Sequence, residues 1–302
     1  MVSKEKISGI EILTLENQHL KIKIAPTSGG KIVSVFNKSL NKEFLWRNEN
    51  LPLTQNRPGD DYDSNFWGGI DELIPNDIPE TINNIDYPDH GELWTTSLTY
   101  KTENNKISLS GNLKLSGLFY QKDVSLDDHK PIIHLEYKIR NASGETRDIL
   151  WKMHTALAIE EGDRLFTEAK KAKVADLDYS RFSDQNEFRW PLIAKTDASI
   201  VPHKNNSMDF FYLYDIDRPE MGLITSKGKH LFSYVYDRDV FPFQWYFASY
   251  GGFLDHYVAI LEPCTNMPIS IKDAKAKGQC LTLKPDQELK TKVLIYAGEN
   301  LK

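Results

Sequence analysis

The chain has 302 residues, with 37 Lys and Arg against 43 Asp and Glu and a net charge of −6. That balance argues against a nucleic-acid partner, because phosphate binding needs clustered cations. The short Lys-rich pieces near 170–173 and 272–277 are broken by Ala and Asp and read as solvated surface. A chain of this length buries roughly three quarters of its extended surface and needs no disulfide frame. Cys264 and Cys280, without C-x-x-C or Cys/His clustering, therefore read as reduced thiols.

No apolar h-region follows the start MVSKEKISGIEILTL, and no apolar run approaches ~18 residues, so the sequence predicts a cytoplasmic protein with no membrane partner. The N-x-S sequons at Asn37, Asn141 and Asn205 then carry no meaning, since glycosylation requires the secretory route.

In chain order, Leu20, Ile22 and Ile24 alternate with Lys21 and Lys23, the pattern of a half-buried antiparallel strand. Thr27-Ser28-Gly29-Gly30 supplies a turn, with strands predicted over 31–37 and 43–47. From Phe66 to Trp94 the period is lost. This stretch, FWGGIDELIPNDIPETINNIDYPDHGELW, carries Pro75, Pro79 and Pro88, the pair Asp71-Glu72, Gly68-Gly69, two Trp and one His, which predicts a long ordered loop leading straight into a strand. Such loops on rigid scaffolds are common sites of binding and catalysis.

Alternation returns at Ile107/Leu109, Leu113/Leu115 and Ile133/Leu135/Tyr137/Ile139, followed by a turn at 141–144 and a strand over 147–154. A second ordered loop is predicted from Asp176 to Lys204. Further strands are predicted over 210–214, 221–225, 231–236, 243–248, 257–261, 280–284 and 289–296. No window of about twelve residues has a helical period, and no linker or repeat divides the chain. The prediction is one domain over 1–302, all-β, built as a large antiparallel sandwich.

The chain lacks a P-loop, G-x-G-x-x-G, H-E-x-x-H and G-x-S-x-G, which removes the usual support for nucleotide, zinc-protease and esterase readings. What remains is an ordered series of short pieces: GGKIVSVFN, WGGIDELIPND, PDHGELW, ILWKMHTAL, YVAILEPCTNMP and LTLKPDQELKTKVLIYAG. Over nearly the whole chain this series resembles a divergent branch of the aldose 1-epimerase (galactose mutarotase-like) superfamily. The resemblance implies a β-supersandwich, no cofactor, no metal and a small-molecule sugar substrate, in a monomer or homodimer. It also implies a general base at Glu262, in LEP, and two imidazoles for the ring oxygen and anomeric centre, His90 in DHGELW and His154 in WKMH. The Arg-containing motif of well-studied galactose mutarotases is replaced here by WGGIDELIPND, and their substrate-binding Asp has no counterpart, so galactose is not singled out.

Those residue types suit the chemistry independently. Exchanging α and β anomers removes the proton of the C1 hydroxyl while the ring oxygen is protonated, after which the open aldehyde rotates and recloses. A carboxylate base and an imidazolium acid suffice, each with its pKa drawn toward neutrality. Asp71 and Glu72 are candidates for binding sugar hydroxyls, and Trp245 and Trp67 for stacking against a pyranose face. Each has a plainer reading. Glu262 before Pro263 could be a strand-end acid, His154 a hydrogen-bonded core residue, His90 a turn residue, Asp71-Glu72 a turn cap and both Trp core residues. His90 with Glu92 lacks a third ligand at metal-site spacing. Two rivals to an epimerase follow: a carbohydrate-binding protein without turnover, and a lyase or hydrolase on the same fold.

Overall fold

The computed structural model describes residues 2–183 and 187–301. Residues 184–186, inside the second predicted loop, lie outside them. Antiparallel strands dominate, and the α-helix among the described residues is the short Ile271–Ala276. Two sheet layers are joined by the bent strand Ser207–Ile224. Its first half pairs with Phe243–Tyr250, and its second half pairs with His230–Tyr236.

The first layer continues from Phe243–Tyr250 through Tyr257–Cys264 and Lys152–Ala158 to Ile70–Leu73. The second runs from His230–Tyr236 through Glu288–Glu299, Ile132–Asn141 and Leu118–Leu126 to Lys106–Asn112 and Thr99–Glu103. Between them lies one core, to which the first layer contributes Met153, Tyr246 and Leu261 and the second Leu109, Leu135 and Ile295. This is the predicted sandwich.

The departures have physical reasons. Residues 2–16, for which no strand is predicted, form the hairpin Val2–Ile7 with Ile10–Glu16, turned by Ser8 and Gly9, both at positive φ. The strand predicted over 43–47 shrinks to Lys42–Glu43 plus isolated bridges at Leu45 and Arg47. Leu113 and Leu115 sit in a turn rather than a strand, Leu113 buried and Leu115 exposed.

The largest departure lies inside 66–94. The predicted loop contains a strand, Ile70–Leu73, all four residues of which are buried. Alternation fails there because both faces are covered, and the charges of Asp71 and Glu72 are matched by Lys31 and Lys122. The rest of the stretch is irregular except for the small hairpin Glu80–Ile82/Ile85–Tyr87 and one turn of 3-10 helix at Leu93–Thr95, four residues ahead of the strand Thr99–Glu103.

Candidate active site

A row of side chains crosses the first layer. Asp71 is the register partner of His154, and Glu262 is the partner of Trp245. The pairings Lys152↔Cys264 and Thr155↔Leu261 bring His154 level with Glu262 on adjacent strands. Directly opposed residues share a face of a sheet, so Asp71, His154, Glu262 and Trp245 point the same way. Lys152, two residues before His154, joins that face by the period of the strand.

Over this face opens a cleft of about 250 Å³. Its polar wall is Asp77, His90, Lys152, His154 and Glu262, and its aromatic wall includes Tyr62, Phe66, Phe210, Trp245 and Phe247. Four residues expected from the sequence, His90, His154, Glu262 and Trp245, thus line one concave surface.

His90 arrives from the long excursion. Its backbone adopts φ 56°, a left-handed conformation that costs a non-glycine residue of the order of 1 kcal/mol. It is held there by its N–H donating to Asp77 O at 2.7 Å. The next residue must be glycine, since a Cβ on Gly91 would lie 2.3 Å from Ile74 O. Glu92 accepts from the Leu115 and Ser116 amides at 2.8 and 2.9 Å and so pins the segment to a neighbouring turn. A strained backbone held by its surroundings is a common mark of a functional position.

Tyr62, four residues upstream of the predicted stretch, ties the two imidazoles together. Its ring stacks on His90 with centroids 4.0 Å apart, and its hydroxyl lies 3.0 Å from Asp71 Oδ2 and 3.2 Å from His154 Nδ1. The one phenolic proton faces two candidate acceptors and goes to one of them. Asp71 Oδ2, which also takes the Lys31 ammonium at 3.0 Å, is the charged and therefore stronger acceptor. His154 Nδ1 then carries its own hydrogen toward the phenolic oxygen, and Nε2 keeps a free lone pair.

Burial, with Lys152, His90 and Lys31 nearby, pushes the His154 pKa well below its ordinary value. The shift favours the neutral imidazole at His154. Burial raises the Glu262 carboxyl above its ordinary value, and the Lys152 ammonium, 3.2 Å from Oε2, opposes that rise. Lys152 is itself pulled down by burial, but Asp77 and Glu262 outweigh this and hold it charged. Its ammonium also sits 3.9 Å from the centre of the Trp245 ring.

Three expected sugar contacts lie elsewhere. Glu72 follows Asp71 on one strand and so faces the opposite side, where Lys122 and Tyr137 hold its carboxylate inside the core. Asp71 is buried behind Tyr62, so it acts on His154 rather than presenting itself to the cleft. Trp67 packs in a separate cluster with Ile12, Val33 and Leu53. Trp245 is both a cleft residue and a core one, with its Nε1 donating to Asn266 O at 2.8 Å.

The sequence reading missed Tyr62, Asp77 and Lys152. For Lys152 the signal was available, since position i−2 from His154 on a strand shares its face. Asp77 belongs to the quoted WGGIDELIPND, but its approach to Lys152 is a tertiary contact.

The chain has the galactose mutarotase-like fold. It superposes on the Slr1438 protein of Synechocystis sp. PCC 6803 with a TM-score of 0.72 at 13% identity, over 95% of each chain. A galactose mutarotase-like protein from Clostridium acetobutylicum matches with a TM-score of 0.70 at 14% identity, over 99% of this chain and 98% of that one. A galactose mutarotase related enzyme from Lactobacillus acidophilus matches at 0.67 and 16%, over 96% and 98%. Residues 2–88 match a domain of unknown function, DUF5107. No curated protein sequence matches the chain.

Proposed function

We propose that the cleft is the active site of an aldose 1-epimerase-like mutarotase. The observation that supports this reading is the convergence of Glu262, His154 and His90, far apart in sequence, on one cleft with Trp245 as a floor. Glu262 takes the proton of the C1 hydroxyl, a task favoured by a carboxyl pKa moved toward neutrality. Neutral His154, oriented through Tyr62, accepts a hydrogen bond from a sugar hydroxyl at Nε2. His90, stacked on the same tyrosine, supplies the proton to the ring oxygen. The open aldehyde then rotates about its C1–C2 bond and recloses as the proton transfers reverse.

The test is an anomer-exchange NMR screen over common aldoses and their 6-phosphates. At least one sugar should equilibrate faster than in buffer, and Glu262→Gln should slow it by ~10²–10⁴-fold while retaining sugar binding. His90→Asn should lose more turnover than binding, with His154→Asn losing both. Wild-type turnover by Glu262→Gln would place the base elsewhere. Sugar binding with no acceleration of any aldose would favour a carbohydrate-binding protein.

A further inference from the structure

Beyond the polar end of the cleft, its aromatic wall runs outward to the mouth. From Trp245 the rings step to Phe210, Phe247 and Phe253 at centroid separations of 5.3, 5.9 and 5.6 Å. Tyr179 closes a triangle with the last two, 6.1 Å from each. This path is longer than one sugar ring needs, and among the described residues the ring contacts of His154 are with Tyr62, Phe66 and His90 rather than with the outer rings.

The outer rings are held in place. Tyr179 belongs to a 3-10 turn capped by Asp176, and two residues later Arg181 Nε donates to the fully buried Asp209 at 2.9 Å. The loop carrying Phe253 is tied down by buried Ser249, whose hydroxyl accepts from the Phe253 amide at 3.1 Å and donates to His256 O at 2.7 Å. Even so, Tyr179 is 38% exposed, as is Ile269, which also lines the cleft. Large apolar groups presented to water on pinned loops, continuous with a polar cleft, form a binding surface rather than loose packing. The carboxylates of Asp63 and Asp176 also line the cleft. They accept hydrogen bonds from hydroxyls and repel anions.

We infer that Tyr179, Phe247 and Phe253 with Asp176 form a second saccharide subsite, so that the cleft takes an uncharged reducing disaccharide or longer chain, with its reducing unit at Glu262 and the next pyranose stacked on the outer rings. The inference rests on the mutarotase reading for which end of the chain lies inside.

The experiment measures anomer exchange for a panel of reducing disaccharides, each beside the hexose that forms its reducing unit. At least one disaccharide should exceed its hexose in kcat/KM by about tenfold, the gain expected of one aromatic stacking platform. Tyr179→Ala and Phe253→Ala should each remove most of that ratio. A ratio of one or less throughout the wild-type panel, or a ratio that survives both substitutions, overturns the inference. If no sugar is anomerised, saturation-transfer NMR decides. Disaccharide binding that is lost in Tyr179→Ala keeps the subsite while the mutarotase reading fails; no disaccharide binding, or a change only in oligomeric state, overturns it.

Discussion

Two of the buried lysine–carboxylate pairs among the described residues, Lys122 with Glu72 and Lys152 with Glu262, differ in how completely they are satisfied. In the core, Lys122 donates to both oxygens of Glu72 at 3.0 and 2.8 Å and to Gly30 O at 2.7 Å, while Tyr137 donates to the same carboxylate at 2.7 Å. Both side chains are sealed from solvent. In the cleft, Lys152 lies between Asp77 and Glu262 and against the Trp245 ring, yet neither Asp77 Oδ1 nor Glu262 Oε2 makes a well-aligned hydrogen bond among the described residues. The same chemical pair is locked in one place and left with spare capacity in the other. A buried carboxylate with no spare acceptor capacity can only hold the two layers together. One that borders a cleft, with its pKa raised and an acceptor oxygen poorly engaged, can still exchange a proton.

The sharpest way to break this comparison is to remove each lysine in turn. Lys122→Met should leave Glu72 as an uncompensated buried charge and destabilise the fold by roughly 3–5 kcal/mol, read from urea unfolding. Adding Glu72→Leu should restore most of that loss, because the pair is worth little against well-packed apolar groups. If Lys122→Met unfolds at the wild-type midpoint, the core pair is not the structural element described here.

Lys152→Met should act on pH dependence instead. Glu262 must be ionised to act as a base, so the rate falls as pH drops through its folded pKa, which burial places above its ordinary value and the Lys152 charge restrains. Removing that charge favours the neutral carboxyl, and the acidic limb of kcat/KM should move to higher pH. A limb that stays in place, or moves to lower pH, would mean that Glu262 is not the titrating base.

The same contrast shows what the sequence could and could not reveal. Strands with one wet face were legible, because alternation at 20–24 and 133–139 records that face directly. Ile70–Leu73 was not, because a strand buried on both faces with its acids paired to distant lysines has no alternation to read. Asp71 and Glu72 looked equivalent as a sequence pair, yet strand parity sends one toward His154 and the other toward Lys122. The imidazoles and Glu262 were found through ordered motifs. Tyr62 was not, because its link to His154 spans 92 residues and leaves no local pattern.

That tyrosine gives the smallest expected effect and the finest test of the cleft's organisation. Tyr62→Phe keeps the ring against His90 and removes only the hydroxyl shared by Asp71 and His154. Asp71 retains Lys31, so the uncompensated loss falls on His154 Nδ1, which should cost about 1 kcal/mol of stability. The larger consequence is conformational. Without the phenolic oxygen, Nδ1 loses the acceptor that fixes its hydrogen, so the tautomers mix and the Nε2 lone pair faces the cleft for only part of the time. Turnover should fall by about tenfold, equivalent to roughly 1.4 kcal/mol. The ¹⁵N shifts of His154 should move from a single tautomer toward an average. An unchanged tautomer and an unchanged rate would show that Tyr62 merely fills space between the imidazoles, and the orientation of His154 would then have to come from the sheet alone.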